Sequence, residues 1–299
     1  MSIERARGAL VGLACGDALG TSVEFLPRGT FEPVTDLVGG GPFELQPGQW
    51  TDDTSMALCL AESLLDCGTF DPVDQLQRYV RWYRDGHLSS TGMCFDIGNT
   101  CQRALHEFER SGNPWSGPDD PMSAGNGSIM RLAPIALAYY PDRGRALEYA
   151  ARSSRTTHGA PEAVDACYIL ADILTSLLAG ASKEAAIASA VVPDTASPRL
   201  AGAVSEASRA KKEGEIRGTG YVVESLEAAL WCFWNSNSYE ETVLRAVNLG
   251  DDADTTAAVC GQLAGAHWGH QNIPESWRER VAMHDAIATM ADRLMEAEF

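Results

Sequence analysis

The stretch "NLGDDADTTAAVCGQLAGAHWG", Asn248–Gly269, carries two messages in one segment. Its opening crowds Asp251, Asp252 and Asp254 beside Thr255 and Thr256, and its second half runs through Ala257, Ala258, Gly261, Ala264 and Gly265. Glycine costs a helix about 1 kcal/mol relative to alanine, so glycines inside a helical pattern point to a neighbour packed too close for a side chain. The segment therefore reads as a central helix with an acidic start. A second segment, "PGQWTDDTSMALCLAESLLD", Pro47–Asp66, opens in the same way. There Thr51, Asp52, Asp53 and Thr54 precede an apolar face of Met56, Cys59, Leu60 and Leu64.

Helical spacing dominates the rest of the chain. Val164, Cys167, Ala171, Leu174 and Leu178 recur at three- and four-residue steps after Pro161, which suits a first helical turn. Leu226, Leu230 and Phe233 mark another helix, and the chain from Glu275 onward reads as one long last one. Two-residue alternation is scarce and no βαβ rhythm appears. The Gly/Pro-rich segments at 38–48, 111–127 and 192–198 are expected to be loops between helices, and none resembles an interdomain linker. The expected fold is all-α, one compact domain over residues 1–299.

With 299 residues and a formal charge of −18, the chain can bury a sizeable core but lacks a basic footprint. That excludes a nucleic-acid or anionic-membrane surface as the main function. An anionic ligand would need positive charge supplied within the site. The eight cysteines form no CxxC pair, and several fall inside apolar helical patterns. They read as small buried hydrophobes of a reducing cytosol, so a cytoplasmic location is expected. The apolar run from Ala9 to Cys15 is too short for a signal peptide and ends at Asp17, and no stretch reaches transmembrane length.

The two acidic clusters admit a plain reading. Asp52 and Asp53 can cap a helix, and Asp251, Asp252 and Asp254 can belong to a polar loop. A cap needs one side chain, however, and carboxylates in close sequence repel unless a cation offsets them. Carboxylate and hydroxyl oxygens form a hard donor set that suits Mg²⁺ or Mn²⁺. Two such segments facing each other supply enough oxygens for two metals. Gly125 and Gly127 flank Asn126, which lets backbone approach an anionic group, although an ordinary turn has the same pattern. Glu24, between Val23 and Phe25, is either a surface residue or a purposefully oriented one.

Seven ordered blocks carry a resemblance to a known family: "GLACGDALGTSVEF", "PGQWTDDTSMA", "FDIGNTCQRAL", "SAGNGSIMRLAPIAL", "RTTHGAPEAVDAC", "GTGYVVESLEAAL" and "GDDADTTAAVCGQLAGAHWG". The chain resembles the ADP-ribosylglycohydrolases, in particular the bacterial branch that includes dinitrogenase reductase-activating glycohydrolase. The resemblance implies an orthogonal multi-helix fold and a centre of two divalent cations, Mg²⁺ or Mn²⁺. It implies metal ligands at Thr51, Asp52, Asp53, Asp252, Asp254 and Thr255, with Glu24 at the site as ligand or acid–base group. It gives Asp96 a catalytic role, and it gives the phosphate and ribose pocket to Ser123, Gly125, Asn126, Gly127 and Ser128. His158 matches a functionally important histidine of the family, and Tyr221 lies in a block near the adenosine. For His158 and Tyr221 a structural role and a core role are the plain alternatives, and Asp96 can equally be a turn aspartate.

The activity so implied is metal-dependent hydrolysis of the α-N-glycosidic bond between ADP-ribose and a protein arginine. The expected partners are an ADP-ribosylated protein and free ADP-ribose. An O-linked serine conjugate or a small ADP-ribose derivative is the alternative substrate. A noncatalytic crystallin-like relative and a two-metal phosphohydrolase are the alternatives of other classes.

Overall fold

The computed structural model describes residues 3–299, and its regular structure is helical. In chain order the helices are α1 Ile3–Gly20, α2 Asp52–Cys67, α3 Pro72–Asp85, α4 Asn99–Ser111, α5 Ala133–Ala138, α6 Arg143–Arg155 and α7 Pro161–Leu178. They continue with α8 Lys183–Ala188, α9 Pro198–Ala203, α10 Glu206–Arg209, α11 Val222–Trp234 and α12 Tyr239–Val247. The last three are α13 Ala253–Trp268, α14 Glu275–Arg280 and α15 His284–Glu296. Among the described residues β pairing is confined to isolated bridges, so the all-α expectation holds.

Helices α1 and α13 run antiparallel through the centre and form the most extensive helix pair of the fold. The reason lies in two rows of small residues at four-residue spacing. A Cβ on Gly8 would lie 2.3 Å from the Gly265 carbonyl oxygen, on Gly12 2.5 Å from that of Gly261, and on Gly16 2.1 Å from that of Ala257. On Gly20 it would lie 2.3 Å from Asp254 Cα. The reverse holds as well: a Cβ on Gly265 meets the Gly8 oxygen at 1.8 Å. At each of these glycines an added side chain would strike the facing backbone, so backbone touches backbone. The expected close packing of α13 is thereby explained, and its partner is the N-terminal helix.

The remaining helices dress this pair. Tyr239 at the start of α12 donates its hydroxyl to the Gly12 carbonyl at 2.8 Å. Gln262, buried on α13, donates to the carbonyls of Ile129 (3.1 Å) and Met130 (2.7 Å) and accepts from Ala133 N–H at 2.8 Å. It thus clamps the segment that leads into α5. A smaller cluster of Met56, Cys59, Leu76, Tyr79, Trp82, Cys101, Leu105 and Met130 joins α2, α3 and α4 beside the main core. Six cysteines are buried within these layers, as expected, whereas Cys67 is exposed at the end of α2.

The single long C-terminal helix expected from Glu275 onward is instead two helices, α14 and α15. Between them Met283 takes a left-handed backbone (φ 59°), and Ala282 donates its N–H to the Gly48 carbonyl at 2.8 Å. The Trp50 indole N–H in turn donates to the Ala282 carbonyl at 3.0 Å. Tertiary hydrogen bonds to the loop before α2 outcompete helix continuation, and helical periodicity carries no sign of them. The loops expected at 38–48 and 192–198 are present, and the one at 111–127 contains a short 3₁₀ turn at Pro121–Ser123.

The seam makes a sharp stability prediction. Gly12→Val should lower unfolding free energy by about 3 kcal/mol or more, because the added atoms force apart two rigid backbones. Gly202→Ala, at an exposed position of α9 with nothing within 4 Å of the new Cβ, should instead raise it by up to about 1 kcal/mol. Urea unfolding of the two variants beside the parent checks both signs.

Candidate functional site

The site grows from the N-terminus of α2. Thr51 occupies the N-cap position without a side-chain cap bond, and neither Asp52 nor Asp53 caps the helix. That task falls to Asp17, a fully buried carboxylate on α1. Its Oδ1 accepts from Thr51 N–H (2.8 Å) and Thr51 Oγ1 (3.0 Å), and its Oδ2 accepts from Thr54 N–H (3.0 Å) and Thr54 Oγ1 (2.6 Å). The plain reading of Asp52 and Asp53 as caps is therefore overturned. A carboxylate from another helix satisfies the orphan donors, which frees both aspartates for other work.

The facing wall is the start of α13. Its approach loop is pinned by Phe25 N–H to the Asp251 carbonyl (2.8 Å), Asp251 N–H to Leu26 (2.9 Å) and Asp252 N–H to Gly218 (2.9 Å). Phe25 (φ 64°), Asp251 (φ 59°) and Asp96 (φ 59°) all adopt the left-handed region, which costs a non-glycine residue about 1–2 kcal/mol. Three such residues around one cavity mark a backbone held by its surroundings.

Side chains from the two walls interlock. Thr255 Oγ1 donates to Asp53 Oδ1 at 3.2 Å, and Thr51 Oγ1 lies 3.3 Å from Asp254 Oδ2, in competition with its shorter bond to Asp17. Asn126 Nδ2 donates to Asp252 Oδ2 at 2.7 Å. Carboxylate oxygens of Glu24, Asp96 and Asp254 lie within 4.8 Å of one another. A cavity of about 500 Å³ opens over this cluster, lined by Glu24, Asp52, Asp96, Asp252, Asp254, Thr255, Gly125, Asn126, Gly127 and His158 among others.

Among the described residues no lysine or arginine lines that cavity. Burial, and then the neighbouring carboxylates Asp96 and Asp252, push Glu24 up to about 9. Burial and the charges of Asp17 and Asp252 push Asp96 up to about 8. Asp52, Asp53 and Asp254 are raised well above the carboxylate range, by burial first and then by the charges of Asp96, Asp17 and Glu24 respectively. Asp17 rises only to about 6, because four donors oppose its burial. Glu24 Oε2, Asp53 Oδ2 and Asp254 Oδ1 are buried without a hydrogen-bond partner. Buried acceptors left unsatisfied are costly, and oxygens of this kind converging from several segments fit a hard divalent cation. The residues present therefore suit such an ion.

Of the residues singled out in the sequence, Glu24, Asp52, Asp96, Gly125, Asn126, Gly127, His158, Asp252, Asp254 and Thr255 line the cavity. Thr51 and Asp53 sit directly behind it through the bonds above. Ser123 and Ser128 are buried away from it: Ser123 Oγ donates to Asp120 at 2.6 Å, and Ser128 Oγ accepts from Ser154 Oγ at 3.0 Å. Tyr221 donates its hydroxyl to Glu162 at 2.5 Å, under the Arg199 guanidinium, and borders a second cavity of about 440 Å³. Its backbone still serves the first, since Tyr221 bridges Gly125 and the Gly220 carbonyl accepts from Asn126 N–H at 3.1 Å.

The sequence alone assigned no site role to Asp17, Arg131, Thr157 or the opening turn of α4 at Asn99 and Thr100, and it noted Thr54 only as a member of the acidic cluster. Asp17 and Arg131 each stand as one charge in an apolar run, a signal that was available.

Comparison with known proteins gives one consistent picture. The family model for ADP-ribosylglycohydrolase matches residues 2–299. The chain is 46% identical to ADP-ribosylarginine hydrolase Tri1 of Serratia proteamaculans over 293 residues, covering 98% of this chain and 79% of that protein. Its counterpart from Pseudomonas putida is 48% identical over 295 residues, covering 99% and 79%. The ADP-ribosyl-[dinitrogen reductase] glycohydrolase of Rhodospirillum rubrum is 32% identical over 284 residues, covering 94% and 91%. Among solved structures, a chain of an ADP-ribosylglycohydrolase-related protein complex superposes with a TM-score of 0.86 at 44% identity, covering 99% of each chain.

The raised carboxylates fix the sign of a pH effect. For a group whose pKa is higher folded than unfolded, the stability it supplies is complete below the unfolded value and lost as pH rises through the folded one. With Asp17 near 6, Asp96 near 8 and Glu24 near 9, chelator-treated protein should lose melting temperature steadily from about pH 5 to pH 9. Mg²⁺ or Mn²⁺ should restore most at the alkaline end, where it no longer competes with protons. Calorimetry across that range checks this; a flat or rising profile for the chelated protein would contradict the electrostatics above.

Proposed function

The chain belongs to the ADP-ribosylglycohydrolase family and is an enzyme of that kind, and from this premise we propose that it releases ADP-ribose from modified arginine on a protein. The observation that carries the reading is the interlocked pair of acidic segments, Thr51–Asp53 and Asp252–Thr255, with orphaned oxygens beneath a cavity that has no basic lining. Two of the relatives above bear the name ADP-ribosylarginine hydrolase, which favours arginine over a serine linkage.

Thr51, Asp52, Asp53, Asp252, Asp254 and Thr255 would hold two divalent cations, Mg²⁺ or Mn²⁺, with Glu24 beside them. When bound, such ions supply the positive field this acidic cleft lacks and make water at the site more acidic. The chain's own groups handle the rest. Carboxylate oxygens of Glu24 and Asp96 lie within 4.8 Å of each other, and burial raises both groups, so one proton can be held between them. That shared proton can pass to the leaving guanidine nitrogen as the C1–N bond breaks. The emptied pair can then take the proton of the water whose oxygen forms the new C1–O bond. The products are ADP-ribose and unmodified arginine, with no net proton gained or lost at the pair.

Asp96 also suits a guanidinium on geometric grounds. With Asp252 it is one of two half-buried carboxylates at the cavity wall. A charge-assisted hydrogen bond from a guanidinium to its carboxylate has no equal in a serine hydroxyl. Gly125 and Gly127 also line the cavity and leave room for the diphosphate, while the N–H groups of Gly125 and Asn126 are taken by the Ser123 and Gly220 carbonyls.

Division of labour tests the reading. Asp52→Ala should abolish both tight Mn²⁺ binding by calorimetry and release of ADP-ribose. Asp96→Asn should keep Mn²⁺ but lower single-turnover release from ADP-ribosyl-arginine by about 10²–10⁴-fold. Faster release from ADP-ribosyl-serine than from ADP-ribosyl-arginine by the parent enzyme would overturn the linkage.

A further inference from the structure

Behind the glycine-flanked wall of the cavity lies a buried chain of polar groups that the reaction outlined above does not use. Arg131 is 1% exposed, with its guanidinium over the Tyr79 ring at 4.8 Å. Its Nη1 donates to the Gly127 carbonyl at 2.9 Å, and its Nη2 donates to Thr157 Oγ1 at 2.7 Å. Thr157 Oγ1 in turn lies 2.9 Å from His158 Nδ1. His158 is 2% exposed, and its other nitrogen faces the pocket backbone. A Cβ on Gly125 would come within 3.3 Å of Nε2, and a Cβ on Gly127 within 3.1 Å. Those two glycines leave the space the ring fills.

Donor arithmetic sets the proton positions. Arginine has no acceptor, so Thr157 Oγ1 must accept from Arg131, and its single hydroxyl proton then points away from the guanidinium. Two acceptors are in reach, the Nδ1 lone pair of His158 and the weak thiol of Cys101. The imidazole lone pair is the stronger acceptor, and an Nδ1–H pointing toward the guanidinium side would be repelled. Burial and the Arg131 charge also keep the ring neutral, holding its pKa down to about 3.

We propose that Arg131 and Thr157 are positioning residues that hold His158 with its proton on Nε2, so that the ring presents a fixed N–H donor to an oxygen of the bound ligand. A ring held in this way cannot act as a base. Among the described residues Nε2 makes no hydrogen bond within the chain, and His158 lines the cavity between Gly125 and Gly127. On the functional reading above, the acceptor is a diphosphate or ribose oxygen of ADP-ribose. The Arg131 bond to Gly127 ties the same lock to the loop on which that ligand would rest.

The test is nuclear magnetic resonance of ¹⁵N-histidine-labelled protein. Two-bond ¹H–¹⁵N correlations should show the Nε2–H tautomer for His158 in the parent from about pH 6 to pH 8, since neutral imidazole tautomers are distinct states. Thr157→Val should lose the single tautomer, and affinity for ADP-ribose should fall roughly five- to tenfold, the value of one lost hydrogen bond. Thr157→Ser should restore both. An Nδ1–H pattern in the parent overturns the proposal, as does a Thr157→Val protein with unchanged tautomer and affinity. If Thr157→Val fails to fold, the parent spectrum alone decides. Should the parent not bind ADP-ribose at all, the functional reading falls, while the tautomer pattern still judges Arg131 and Thr157.

Discussion

Backbone contact between α1 and α13 is the constraint on which the rest depends. With Gly8, Gly12, Gly16 and Gly20 stacked on Gly265, Gly261, Ala257 and Asp254, the two helices are fixed in register as well as in distance. A slip of one residue would drive a side chain into a carbonyl. The last rung of that ladder places Asp254 against Gly20, four residues before Glu24, so the acidic start of α13 meets the end of α1 by the same steric rule that packs the core. Asp17, one residue after Gly16, then emerges at the height where it can cap α2.

A cluster so acidic is held together by geometry against electrostatics. Glu24, Asp52, Asp53, Asp96 and Asp254 are all pushed above their ordinary range, and burial is the leading cause at each. Two partners can offset that cost, a proton or a metal cation. The fold keeps both possible. Asp17 uses all four of its available bonds to hold the α2 N-terminus, while three neighbouring carboxylate oxygens are left without a partner. Satisfying every group internally would leave nothing to bind with. The cavity's other wall follows the opposite rule, with Arg131, Thr157 and His158 bonded in series.

The chain's charge of −18 and this local chemistry describe different scales. The surface charge argues against polyanion partners, while the site needs positive charge brought in with the ion. No helix among the described residues is long and apolar enough to cross a membrane.

The sequence by itself determined the helical class, because three- and four-residue spacing of apolar residues has only one regular solution. It also determined the two acidic segments, since carboxylates and hydroxyls crowded at a helix start are visible without coordinates. The glycine-rich half of α13 signalled a close neighbour but could not name it, because the matching row in α1 is informative only once the two are paired. Tertiary structure decided the rest. It assigned the cap of α2 to Asp17 rather than to Asp52 or Asp53, turned the Tyr221 hydroxyl to Glu162, and broke the C-terminal helix at Ala282 and Met283. Each of these outcomes rests on a hydrogen bond between residues far apart in the chain, and local periodicity holds no record of such partners.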